Sequence, residues 1–110
     1  MSLALTIEQV DGQPIGREVP ISTNATYVKY WEPIVTKEEF AWLALLLSPG
    51  FDITEDELPE VLAEVYRLKA AVPRYYSPGS VGYQHLEERL TNLIAELEAL
   101  AGKQVALFFG

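Results

Sequence analysis

The sequence predicts an α+β fold. Two or three N-terminal strands and a C-terminal strand over 103–109 form a small mixed or antiparallel sheet. Three helices, about 36–47, 54–72 and 80–101, pack against it. Three observations carry this reading. The N-terminus alternates apolar and polar residues, the middle of the chain carries apolar stripes in steps of three and four, and the last segment is almost continuously apolar. Strands grouped early and helices grouped late imply α+β and not an alternating α/β layout.

Each element has a local cause. In "LALTIEQV" (3–10), Leu3, Leu5 and Ile7 share one face and Ala4, Thr6 and Glu8 the other, as in a half-buried strand. Asp11-Gly12 signals a tight turn. "IGREVPI" (15–21) returns as an irregular strand, with Pro14 and Pro20 confining it to an edge. "ATYVKYW" (25–31) is rich in aromatic and β-branched residues and reads as a third strand. Thr36 with Glu39 has capping-box spacing, and Val35 with Phe40 the spacing of a hydrophobic staple, which predicts a helix start. Thr54 with Glu57, and Ile53 with Leu58, repeat the device. Pro59 is awkward for a helix beginning at 54.

The second helix carries the stripe Leu58, Val61, Val65, Leu68, Val72. The third carries Leu86, Leu90, Leu93, Leu97, Leu100, with Tyr83 continuing it backwards. Matching stripes and a short connection predict an antiparallel helix hairpin on one sheet face. Ser80 is placed to cap the third helix and Gly102 to stop it. "KQVALFF" (103–109), almost continuously apolar, reads as a central strand buried on both faces, beside an N-terminal one.

A chain of 110 residues fits one domain, 1–110. There is no cysteine, which removes disulfides, thiolate metal sites and thiol nucleophiles. No basic-then-apolar leader is visible, and "FAWLALLL" (40–47) is far short of the ~20 residues that span a bilayer, so a cytoplasmic location is expected. The net charge of −8 disfavours nucleic acid and favours encounter with a basic partner.

Recognisable catalytic patterns are missing. There is no phosphate-binding glycine loop, no nucleophile elbow and no second histidine for a metal site. The reading is therefore a non-enzyme with no cofactor. His85, the lone histidine, reads as an exposed residue in the first turn of its helix. Two groups stand out as partner-binding candidates. One is the acidic run Asp52, Glu55, Asp56, Glu57, Glu60 and Glu64, with no base among residues 52–64. A helix dipole accounts for the first-turn acids but not for Glu60 and Glu64. The other is aromatic: Trp31, Tyr75 and Tyr76 beside polar loops, residues of the type that anchor interfaces.

Small size, no cysteine, acidic balance and an α+β layout together resemble bacterial toxin-neutralising immunity proteins. This likeness rests on composition, without a motif. The expected function is a protein-binding module, immunity-like or adaptor-like, acting on a basic partner. The alternatives are a self-associating structural subunit, and a small-molecule site lined by Tyr27, Trp31 and Tyr75, or an enzyme without a recognisable motif.

Overall fold

The computed structural model describes residues 2–110. Its four strands are β1 (Ser2–Val10), β2 (Gln13–Thr23), β3 (Phe51–Thr54) and β4 (Val105–Phe109). They form one antiparallel sheet in the order β2-β1-β4-β3. Between β2 and β3 lie a short helix α1 (Asn24–Thr26), a π-turn (Tyr27–Trp31), α2 (Glu32–Lys37) and a 3₁₀ turn (Leu43–Leu45). Two long helices, α3 (Leu58–Tyr75) and α4 (Val81–Leu100), follow β3.

The Asp11-Gly12 turn closes the β1–β2 hairpin with both residues at positive φ, 51° and 79°, the geometry of a primed turn that follows the natural strand twist. The last strand does insert at the centre, pairing β1 on one side and β3 on the other. The chain folds back between α3 and α4 as expected, and Tyr66 midway along α3 bonds Glu98 late in α4. Ser80 caps α4, its hydroxyl accepting the N–H of Tyr83 at 3.2 Å.

Helices cover one face of the sheet. Leu3, Leu5, Ile7, Val19, Ile21, Phe51, Ile53, Val105, Leu107 and Phe109 point to that side and are buried. The predicted stripes of α3 and α4 meet them: every residue named in both leucine-valine series is buried. At roughly 1.5–3 kcal/mol per fully buried large aliphatic or aromatic side chain, this layer is the main source of stability. The other face of β4, at Ala106 and Phe108, is only half-buried.

Four sequence expectations are corrected. Residues 25–31 are helical, not a strand. Tyr27 and Trp31, four apart, are the buried pair, and Thr23 caps the segment by accepting the N–H of Thr26. Pro33 lacks the N–H that would bond the carbonyl of Lys29, and just before it Glu32 bonds Tyr27 in the wider π pattern.

The expected helix 36–47 is absent as well. Residues 35–40 end a helix instead of starting one. Phe40 donates to Val35 at 2.9 Å and Glu39 to Thr36 at 3.3 Å, with Glu39 at φ +54°, which is a Schellman stop. Third, Phe51–Thr54 is a strand that the sequence reading assigned to a loop and a helix start. Fourth, α3 begins at Leu58, so Pro59 falls in the first turn where proline is tolerated, and the helix runs on through Tyr75.

Candidate functional site

The predicted acidic set divides into scaffold and surface. Glu64 is buried, 9% exposed, on the inner face of α3. Its carboxylate accepts the backbone N–H groups of Ala41, Trp42 and Leu43 at 2.8–3.0 Å. Arg67, one turn on, donates to the carbonyl of Glu38 at 2.7 Å and stacks 3.8 Å from the centre of the Phe40 ring. Arg74 bonds the Glu38 carboxylate at 2.8 Å, and this contact holds that carboxylate below its usual range. These three side chains fasten the irregular segment 38–43 to α3. Glu64 is therefore an internal anchor and not a docking residue.

Glu57 and Glu55 are also engaged. Glu57 accepts the N–H of Thr54 at 2.9 Å, half of the predicted capping box, formed just before the helix and not in it. Glu55 accepts the N–H of Val105 at 3.0 Å, and this bond lowers its pKa. Asp52, Asp56 and Glu60 are exposed, and none makes a side-chain hydrogen bond within the protein among the described residues.

The aromatic set divides similarly. Trp31 is 0% exposed and stacks on Tyr27, so it is a core residue and not an interface anchor. Tyr27 is equally buried, donates its hydroxyl to the carbonyl of Leu43 at 2.8 Å, and is pushed up to about 12 by burial and by Glu32. Tyr27 and Trp31 pack in the core with almost no exposed surface, while Tyr75 is half-exposed at the end of α3. Tyr76 packs edge-on against Tyr30 and donates to the carbonyl of Tyr30 at 2.8 Å. Tyr75 closes α3, and both tyrosines remain half-exposed. His85, read as exposed, is half-buried and accepts the indole N–H of Trp31 at 3.0 Å.

The feature that sequence reasoning missed is the helix-free side of the sheet. The pairings Glu18–Thr6, Thr6–Phe108 and Phe108–Asp52 line up one row across all four strands. Phe108 sits in the middle, and an exposed acid stands at each end. Ala4 and Ala106 extend the apolar centre along β1 and β4. Glu8 occupies the bulge where β1 shifts register, and with Asp52, Thr54 and Glu57 it lines a shallow cleft beside Ala106.

Glycines hold the central ring in place. A Cβ at Gly110 would lie 2.8 Å from Phe108 Cζ, and one at Gly50 3.0 Å from the same atom. The ring therefore rests against backbone that only glycine leaves open. The signal in the sequence was Phe108 itself, the large residue of opposite parity in an otherwise buried strand. Its row partners depended on a strand order that the sequence does not encode locally.

Among the described residues, no three acidic or imidazole side chains converge as metal ligands, and no helix is long and apolar enough to cross a membrane. Comparison with family models, with curated proteins and with solved structures finds no match for the chain.

Proposed function

We propose that this protein is a non-enzymatic acidic binding module that captures a basic segment of a partner protein on the helix-free face of its sheet. The observation that supports this most is the cross-strand row Glu18–Thr6–Phe108–Asp52, an apolar centre between two exposed acids. An antiparallel sheet facing water is ordinarily polar on that side. Here the two inner strands present Ala4, Thr6, Ala106 and Phe108, and the acids lie at the rim.

Size sets the kind of occupant. Three strand spacings of about 4.8 Å across and five residues of β4 along give a patch of roughly 240 Å². A stable complex of folded domains buries about 800 Å² per partner. The patch suits a short segment, with apolar side chains on Phe108 and cationic ones on Glu8, Glu18 and Asp52. Toxin neutralisation or adaptor work would both use such a surface. Self-association through this face is disfavoured, because a two-fold pairing would set acidic rim against acidic rim.

The test is binding kinetics with a panel of short peptides alternating arginine and leucine. Glu18→Lys and Asp52→Lys, at opposite ends of the row, should each slow association and flatten its salt dependence. Phe108→Ala should speed dissociation. If the tightest peptide bound all three variants with unchanged rates, the reading would fail.

A further inference from the structure

We propose that the Trp31–His85 hydrogen bond is an acid-sensitive latch: neutral His85 holds the helical segment 24–37 against the α3–α4 hairpin, and protonation releases it. The geometry makes the bond depend on charge state. An indole N–H only donates, so Nε2 of His85 must accept, at 3.0 Å, and the neutral ring carries its proton on Nδ1. A proton on Nε2 would set donor against donor, beside an indole that is 0% exposed.

The surroundings offer the cation little compensation. From α4, Arg89 one turn on opposes it and Glu88 alone favours it. From the π-turn, the Tyr30 ring lies 6.3 Å away, centre to centre, with the Lys29 amine over its face at 5.3 Å. Tyr76 at the end of α3 stands edge-on to Tyr30 and brings no carboxylate. Glu32, next to Trp31, acts on Tyr27. Burial first, and then Arg89, lowers the His85 pKa from its ordinary 6.5.

The sign follows from that direction. Above pH 6.5 the ring is neutral in both the folded and the unfolded chain, and the contribution of the latch is complete. As pH falls below 6.5 the unfolded chain takes up the proton first, and the contribution drains until the lower folded pKa is passed.

The other polar ties of the segment do not titrate in that range. Tyr27 is held on the carbonyl of Leu43 and Tyr76 on the carbonyl of Tyr30, both phenols with raised pKa. The carboxylates whose pKa is lowered, Glu38, Glu55 and Glu96, act below their ordinary 4.5. Between those limits the histidine is the switch, and the segment it governs lies apart from the proposed docking face.

A single histidine makes the test direct. NMR titration of the intact chain should show an Nδ1–H tautomer and a midpoint below 6.5. The Trp31 indole resonance, distinguished from Trp42 with Trp42→Phe, should move with the same midpoint. Corrected amide protection over 24–37 should fall several-fold more than that of α4 between pH 7.5 and 5.5. His85→Gln, which can accept from Trp31 without titrating, should abolish both changes. If that variant does not fold, the wild-type titration decides alone. A Trp31 resonance indifferent to the His85 titration, or equal loss of protection in the variant, would overturn the latch.

Discussion

Glu64 shows how one side chain is assigned by its position on a helix. It lies three residues after Val61 and four before Leu68, inside the buried stripe of α3, and it is buried. The stripe was legible, yet Glu64 reads in the sequence as one of the docking acids and not as part of it. What it accepts was not legible, because the N–H groups of Ala41, Trp42 and Leu43 belong to an irregular segment more than twenty residues away. Glu64→Ala should leave those donors without their acceptor and cost about 3 kcal/mol of unfolding free energy by urea denaturation. Glu60→Ala, on the exposed side of the same helix, should stay within about 0.5 kcal/mol. Trp31 and His85 teach the complementary lesson. A tryptophan at a predicted strand exit reads as a partner-binding candidate and a histidine off a leucine stripe reads as exposed, and they satisfy one another across the fold.

At the scale of elements, the long helices, the hairpin turn and the central last strand were legible, because each rests on a local pattern that tertiary packing reinforces. Residues 35–40 were misread for a physical reason. A staple at a helix start and the closing contact of a Schellman stop both place apolar residues five apart. Val35 and Phe40 fit either, and only the chain on each side decides. Residues 25–31 failed because strand propensity describes fitness for a half-buried surface, which a helix can also provide. α4 closes on this segment through Gly82, where a Cβ would lie 2.6 Å from Tyr30 Cδ1. Gly82→Ala should therefore destabilise by roughly 1–3 kcal/mol in spite of its better helix propensity. The loss should shrink when Tyr30 is also truncated, as a double-mutant cycle would show. Glu55 ties the approach to α3 onto β4, and its pKa is lowered by the N–H of Val105. Its contribution is present above pH 4.5 and lost as pH falls through its lower folded value. Glu55→Gln should flatten the acid limb of a stability-versus-pH curve below 4.5 without altering the region governed by His85.

For the whole molecule, the charge of −8 is distributed by role. Glu38, Glu55, Glu57, Glu64 and Glu96 are engaged in holding elements together. Glu8, Glu18 and Asp52 rim the uncovered sheet face, with Asp56 and Glu60 exposed at the start of α3. The sequence exposed the excess of acids but not this division, since strand order and register bring residues 6, 18, 52 and 108 into one row. Mere attraction of cations to an acidic protein would be diffuse, while recognition on the sheet would be local. Amide chemical-shift mapping with an arginine/leucine peptide separates the two most directly. The account predicts saturable shifts confined to Thr6, Glu8, Glu18, Asp52, Ala106, Phe108 and their neighbours, lost in Phe108→Ala. Shifts spread over every acidic surface, or centred on Asp56 and Glu60 and unchanged in Phe108→Ala, would contradict it.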